Sequence, residues 1–465
     1  MDATDEARTL RFLTGVVGDD ERIEIIGECW DPNISKWESS KVFLEDVVRK
    51  EGFVDEFSAL EEYVNEIIKQ NRLAKDTAVH NLVSAAGLRS KPLIYLIWPT
   101  PNSGYRSVHL LKIWDVVREN CFLLPSGELR KEPINLVGHA SDSAGFQLAA
   151  AVTLMTPSTQ AFNKGVKYLT LAGTSQYAAP YLGPLPSICY LDYDHNLRLF
   201  LKCLKYETLD LNLFPNSSNS HIASINHLQE LKIILDQSGS GHLCTFSNND
   251  LLFARFLDQN CDAALKVFTN KVADLLREHV PGSDGTCLYI KGVVALFKPF
   301  LFPHCDPISM QESLSEGITI FRIWRKILQL KAKRLSAIAG AAKNATKRGS
   351  FLTYGCFKTA EILFAAGTCH MLAMFAHFKD LGTTMLPLSN CGTKTTERII
   401  SEVQGKTNQL QSLDAQPTLG GILSKISKVQ SNHTALDNIT AAGGKKTEFH
   451  EQEKTVTQTS RGSSV

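Results

Sequence analysis

The apolar and polar residues follow patterns that predict an α/β part and then a helical part. The nearly continuous apolar run at 93–98 predicts a central strand, and the spacing at 108–117 predicts a helix. Residues 134–137 predict the next strand, which ends at Gly138. A strand, a helix and a strand in this order are typical of a parallel or mixed sheet covered by helices. Residues 16–30 alternate as in a strand near a hairpin.

Beyond about residue 210 the apolar residues recur mainly at helical spacing. Residues 250–280, for example, form a long helical pattern that stops at Pro281 and Gly282. We therefore predict a fold of the α/β class whose core is interrupted by helices. Its segments are the first part of the α/β core, an all-helical insertion, a helical completion of the core, and a disordered tail rich in Gly, Ser, Thr and Lys, at 14–208, 209–309, 310–426 and 427–465, respectively.

The composition limits the class of protein and its cellular compartment but does not identify a binding partner. The formal net charge is +1 over 465 residues, so any attraction to nucleic acid or membrane must be local. The 11 cysteines include no Cys-x-x-Cys pair and no zinc-finger spacing, and no signal peptide opens the chain. We therefore expect reduced thiols inside the cell. The most apolar stretch, 357–378, contains Lys358 and Glu361, which predicts a core helix rather than a membrane span.

Candidate chemistry begins where the strand at 134–137 ends. Ser141, Asp142 and Ser143 form a small polar turn between that strand and the following helix. The carboxyl ends of strands are where α/β sheets place their active sites. Capping of the next helix by Ser141 or Asp142 is the alternative explanation, and the pattern does not choose between the two.

Two further acidic stretches follow along the chain. Asp192 and His195 form an Asp-x-x-His pattern at a helix start, with Arg198 one turn later. These residues could ligate a divalent ion or hold a DNA phosphate, or Asp192 could simply cap the helix. Near the end of the chain, Glu397 and Glu402 lie on the two flanks of an apolar helical stripe, so periodicity does not choose between them.

The most basic region is a predicted helix within 318–349. It has nine basic residues with no acidic residue between them, and its apolar side is formed by residues such as Phe321 and Trp324. Such a run favours a polyanion, although a solvated helix face gives the same pattern. The candidate DNA-binding residues are Arg322, Arg325, Lys326, Lys331, Lys333 and Arg334.

Two catalytic mechanisms fit these residues. Two-metal phosphoryl transfer needs three carboxylates from distant parts of the chain, and Asp20, Asp142 and Glu397 have the order found in an RNase H-like sheet. A serine hydrolase would use Ser143, because 141–145 nearly matches the nucleophile elbow Gly-x-Ser-x-Gly. The first Gly of that motif is Ser141 here, and no HGGG-type loop precedes it. A non-enzymatic nuclear interaction protein is the third class.

Three stretches together resemble the P-element-like (THAP-associated) DDE transposases. VGHASDSAGF contains Asp142 and is similar to the family's aspartate turn after a strand. Asp192, His195 and Arg198 match the later Asp-x-x-His-x-x-basic motif, and GTKTTERIISEVQGKT with Glu397 resembles the late acidic helix. The wider run from about 134 to 426 also looks like transposon-derived proteins.

The resemblance implies an RNase H-like core interrupted by a helical insertion. It implies DNA as the partner, cleavage and strand transfer with Mg²⁺ or Mn²⁺, a nuclear or intracellular location, a homo-oligomer and no membrane. Asp20, Asp142 and Glu397 would be the catalytic and metal-binding acids, with Asp19 nearly as good a match as Asp20. We expect the family's N-terminal zinc-coordinating DNA-binding domain to be missing, since the cysteines have no zinc-finger spacing. We therefore expect a truncated or host-adopted copy in which catalysis is either retained or decayed.

Overall fold

The structure is a computed structural model in which two compact units are distinguished. One contains Tyr105–Lys394, and the other contains the strands of Asp2–Ser84 and Arg89–Gly104. The residues that the structure describes are 2–5, 11–17, 20–26, 42–43, 65, 69, 74–82, 93–101, 107–123, 126–131, 136–142, 145–157, 166–171, 173–206, 209–210, 222–252, 261–302, 306–339, 352–377 and 387–393. The predicted tail at 427–465 lies outside them.

The strands before residue 102 form two antiparallel sheets of three strands each. The strands are β1 Asp2–Asp5, β2 Arg11–Val17, β3 Asp20–Ile26, β4 Val42–Phe43, β5 Ala74–Leu82 and β6 Leu93–Pro101. Their orders are β2-β3-β4 and β1-β5-β6. The predicted hairpin is confirmed, because Val17 lies opposite Asp20. The predicted strand at 93–98 is also confirmed, but it pairs antiparallel with β5.

The larger unit contains a short parallel pair of strands. These are β7 Gly138–Ser141 and β10 Ile188–Leu191, and Ser141 lies opposite Leu191. The strand predicted at 134–137 was therefore placed too early. The other short strands of this unit are β8 Tyr168–Leu169, β9 Ala179–Pro180, β11 Leu209–Asp210 and β12 Ile222–Ala223, paired as β8-β9 and β11-β12.

Helices make up most of this unit. They are α1 Ser107–Phe122, α2 Gly145–Met155, α3 Tyr193–Tyr206, α4 Ile225–Gln237, α5 Asn248–Leu251, α6 Cys261–Val267, α7 Asn270–His279, α8 Asp284–Leu301, α9 Pro307–Ala339 and α10 Tyr354–Ala376. Single 3₁₀ turns lie at Gly241–Leu243 and Leu388–Asn390. The described part of the chain is thus mostly helical with few strands. An RNase H-like core stays a prediction.

One aromatic core joins helices from different predicted segments. Phe200 of α3, Tyr289 and Phe297 of α8, and Phe321 and Trp324 of α9 are all buried, and their rings form a chain of contacts. Burying such aromatic side chains contributes strongly to stability. The helices of the predicted insertion therefore share a core with the segments before and after it.

Helix α10 lies against β10 and is buried along most of its length. It is long and apolar enough to cross a membrane, but 83% of that apolar window is buried inside the protein. Such burial is typical of the core helix of a globular unit, as the sequence predicts. Thr353 caps its first turn by accepting a hydrogen bond from the backbone N–H of Cys356.

Candidate functional site

Two aspartates follow the two parallel strands at the same edge. Asp142 comes directly after β7 and Asp192 directly after β10. The backbone N–H of Asp192 donates to the carbonyl oxygen of Ser141 at 2.9 Å, so the parallel pairing continues to the end of both strands. The sequence predicts Asp142 in a polar turn after a strand at 134–137, whereas in the structure Asp142 follows β7 and Ser141, predicted in that turn, is the last residue of the strand. The neighbour of β7 in the sheet is the strand that carries the Asp-x-x-His motif.

The side chain of Asp142 lies beside His195, the histidine of that motif. His195 Nδ1 lies 3.4 Å from Asp142 Oδ1, and the two side chains are 28% and 25% exposed, respectively. His195 lies in the first turn of α3, and Arg198 Nη2 lies 2.8 Å from His195 Nδ1. The edge therefore presents a carboxylate, an imidazole and a guanidinium in one partly exposed group.

Asp192 has a different environment from Asp142. It is only 2% exposed. Its Oδ1 accepts hydrogen bonds from the backbone N–H groups of Asp194 at 2.8 Å and His195 at 3.0 Å, which is the geometry of a helix cap. Its Oδ2 accepts a hydrogen bond from the hydroxyl of Thr393. The Asp192 side chain thus caps the first turn of α3 and contacts a part of the chain that is distant in sequence.

That distant part, residues 387–393, packs on the start of α3. The hydroxyl of Tyr193 donates to the carbonyl oxygen of Ser389 at 2.9 Å. Gly392 lies so close to Tyr193 that an added Cβ would come within 2.7 Å of the ring. Burial raises the pKa of the Cys391 thiol to about 12. Sequence reasoning missed this docking, because 381–392 has only the composition of a loop.

Several predicted site residues cannot be compared with this geometry. Asp20 is the first residue of β3, in the other unit, and its side chain is not described. Ser143 and Glu397 lie outside the described residues. Within the described part of the chain, no group of three or more His, Cys, Asp or Glu side chains is arranged to hold a metal ion. The set of Asp20, Asp142 and Glu397 therefore stays a prediction.

Residues 318–339 of the predicted basic helix at 318–349 lie in α9, and residues 340–349 lie outside the described residues. The predicted DNA-binding residues of α9 divide into different environments. The Arg322 guanidinium forms a two-point ion pair with Glu361 of α10, at 2.9 Å and 2.6 Å. The Arg325 guanidinium lies 4.3 Å from the ring centre of Phe357. These two contacts are within the protein, which differs from the expectation that both residues face a polyanion. Lys326 and Lys333 are exposed, whereas the side chains of Lys331 and Arg334 are not described.

The comparisons with known proteins give little direct guidance. No protein-family model and no curated protein sequence matches this chain. Among solved structures, the Drosophila P element transposase strand transfer complex is similar, with a TM-score of 0.48 and 12% sequence identity. The similarity covers 77% of this chain and 70% of that chain. A TM-score of this size does not establish a shared fold, so the geometry of the site must carry the functional argument.

Proposed function

We propose that this protein is a transposon-derived DNA-binding protein that uses a divalent cation, Mg²⁺ or Mn²⁺, for DNA cleavage and strand transfer. The observation that carries the proposal is the meeting of Asp142 and His195 at the carboxyl edge of two parallel strands. Support also comes from the sequence resemblance, whose motifs contain both residues. DNA as the partner makes the nucleus the expected location.

Asp142 and His195 are residue types that can bind a divalent cation, and a cation at this edge would take the place that Arg198 Nη2 holds beside both ring nitrogens of His195. Carboxylates suit both Mg²⁺ and Mn²⁺. Asp142 and His195 are both partly exposed, which leaves room for the water ligands that such ions keep. A bound ion of this kind would stabilise the charge that develops on the phosphate oxygens. The positive charge of Arg198, beside His195, would add attraction for a phosphodiester.

Two more acids complete the proposal on the strength of the resemblance. We propose Glu397 as one of these acids, from the resemblance of its stretch to the late acidic helix of the family. We propose Asp20 as the remaining acid, from its place in the order of the motifs.

Thermal melting with and without metal tests the cation site. We expect millimolar Mn²⁺ or Mg²⁺ to raise the melting temperature of the wild-type protein, because a ligand that binds only the folded state stabilises it. Asp142→Asn should reduce this gain. Asp306→Asn is the matched control, since Asp306 caps α9. An identical metal response in wild type and Asp142→Asn would mean that Asp142 is not a ligand.

DNA binding at several salt concentrations tests the basic surface. We expect Lys326→Ala and Lys333→Ala to weaken binding and to lower the salt dependence by about one unit each, as for a lost phosphate contact. Lys298→Ala, at an exposed position on α8, is the control and should bind like wild type. Unchanged binding in both α9 variants would remove this helix from the proposal.

Three other outcomes would favour the alternative classes. Covalent labelling of Ser143 by a fluorophosphonate probe would favour the serine hydrolase. Melting curves that do not respond to metal, together with salt-dependent DNA binding, would favour a decayed transposase kept for binding. Absence of both metal response and DNA binding would favour an interaction protein without nucleic-acid chemistry.

A further inference from the structure

The buried Asp192 links two parts of the molecule that are far apart in sequence. We propose that Asp192 is a positioning residue, rather than a metal ligand, and that it holds His195 against Asp142 while anchoring residues 387–393 to the same edge. This inference rests on the proposed function for its catalytic meaning. It rests on the described contacts for its geometry.

The first step of the argument is the link from Asp192 to His195. Asp192 Oδ1 accepts the backbone N–H of His195 at 3.0 Å, which fixes the first turn of α3. The His195 ring extends from that turn to within 3.4 Å of Asp142 Oδ1. Loss of the Asp192 carboxylate would leave the N–H groups of this turn without their acceptor, and the turn would then fray. The ring of His195 would lose its fixed position beside Asp142.

The second step concerns what Asp192 can bind. Its exposure is 2%, whereas the side chain of Asp142 is 25% exposed. The protein supplies hydrogen-bond donors to both carboxylate oxygens of Asp192, from two backbone N–H groups and from Thr393. A carboxylate that is enclosed and satisfied in this way has no open side for a cation with its water ligands. Its contribution to a metal site must therefore come through the residue it orients.

The third step is the anchoring of 387–393. Thr393 donates to Asp192 from a position 201 residues later in the chain, and Tyr193, the next residue after Asp192, donates to the carbonyl oxygen of Ser389. Gly392 permits close contact with the Tyr193 ring, and Cys391 is buried. Movement of this segment would therefore change the hydrogen bonding of Asp192 and, through it, the position of His195.

The experiment compares Thr393→Val, which removes the hydroxyl, with Thr393→Ser, which keeps it. We measure Mn²⁺ binding, hydrogen exchange at the His195 amide, and native-state alkylation of Cys391. Loss of an outer partner of a metal ligand typically weakens metal binding by about 10- to 100-fold. Because Thr393 acts through Asp192, we expect Thr393→Val to lose Mn²⁺ binding at the lower end of that range, together with faster exchange and faster alkylation, and we expect near wild-type values for Thr393→Ser.

Matched controls separate positioning from general destabilisation. Asp306→Ala removes a cap with the same pattern as Asp192, because Asp306 Oδ1 accepts the N–H groups of Ile308 and Ser309. Thr269→Val removes the threonine cap of α7. Both controls should bind Mn²⁺ like wild type, whereas Asp192→Ala should behave like Thr393→Val. Thr393→Val carries the test if Asp192→Ala does not fold.

The readouts distinguish failure of this inference from failure of the proposed function. If wild type does not bind Mn²⁺, the metal function is wrong, and the exchange and alkylation data alone decide the role of Asp192. Faster exchange at the His195 amide and faster alkylation of Cys391 in Thr393→Val would then support the positioning role of Asp192. Wild-type values for Mn²⁺ binding, exchange and alkylation in Thr393→Val would overturn it. Equal weakening of Mn²⁺ binding in the two controls would overturn it as well.

Discussion

The ion pair between Arg322 and Glu361 leads to a prediction that separates stability from DNA binding. The Glu361 side chain is 7% exposed, and its two oxygens accept the Nε–H and an Nη2–H of Arg322. Arg322 also donates through Nη1 to the carbonyl oxygen of Thr174 at 2.6 Å. In Arg322→Met the carboxylate of Glu361 would stay buried without its positive partner, which is far more costly than losing an exposed ion pair.

The burial of Glu361 and the partial exposure of Arg322 determine how much stability Arg322→Met should lose. Removing one member of a buried ion pair costs about 3–5 kcal/mol when the remaining charge is uncompensated. The Arg322 side chain is 33% exposed, so water can partly replace the guanidinium. We therefore expect Arg322→Met to lower the free energy of unfolding by about 2–4 kcal/mol. Arg322→Met with Glu361→Met should recover much of that loss, since no buried charge remains.

Chemical denaturation followed by helical circular dichroism measures these differences. Arg325→Met is the control, because the Arg325 guanidinium stacks over Phe357 and its loss should cost only about 1 kcal/mol. At a temperature where both proteins are folded, Arg322→Met should bind DNA like wild type. A change in stability below about 0.5 kcal/mol, together with weaker DNA binding, would refute the reasoning and restore Arg322 to the DNA-binding surface.

Two further predictions concern pH and packing. Burial, with the nearby Arg118 charge, lowers the pKa of His139 to about 3, so the unfolded chain binds a proton first as pH falls below about 6.5. The free energy of unfolding should therefore fall as the pH is lowered from 6.5 to 3, by up to about 2 kcal/mol at pH 5. His139→Phe should make the melting temperature less dependent on pH over this range. Gly317→Ala would place a Cβ 2.6 Å from the Leu296 backbone nitrogen and should cost about 1–3 kcal/mol in denaturant unfolding. Gly355→Ala, in open space, should be neutral or stabilise by about 0.5 kcal/mol.

Local patterns predicted the individual elements better than their partners. The apolar run at 357–378 corresponds to α10 at Tyr354–Ala376, because a helix that is apolar on most sides must be buried on most sides. The strand at 93–98 lies within β6, but the prediction that it belongs to a strand-helix-strand unit with 134–137 is wrong. Strand β6 pairs with β5, whereas β7 pairs with β10. Pairing depends on contacts between distant segments, which local periodicity does not contain.

The misplaced strand has a specific cause. Gly138 was interpreted as a strand breaker, yet it is the first residue of β7. A Cβ at this position would lie 2.2 Å from the carbonyl oxygen of Ile188, so the close approach of the two strands requires glycine here. Glycine inside a strand can mark such an approach as well as a break. The sequence contains the residue but not the partner that explains it.

Charge patterns fail for the same reason. Arg322 belongs to a run of basic residues, but its partner Glu361 is 39 residues further along the chain, in an apolar helix. A basic run therefore overestimates the charge available to a polyanion whenever one of its members has such a partner. Lys326 and Lys333, which are exposed, are better candidates than Arg322.

The two aspartates at the sheet edge show what decides whether an acid is available for chemistry. In the sequence, Asp142 and Asp192 look alike, since each follows a short strand and precedes a helix. Helix α3 begins directly after Asp192, so its first N–H groups take the carboxylate as their cap, and the hydroxyl of Thr393 takes the other oxygen. Helix α2 begins three residues after Asp142, whose side chain stays partly exposed beside His195. The spacing between strand and helix thus makes one acid a helix cap and leaves the other partly exposed, where a cation can reach it.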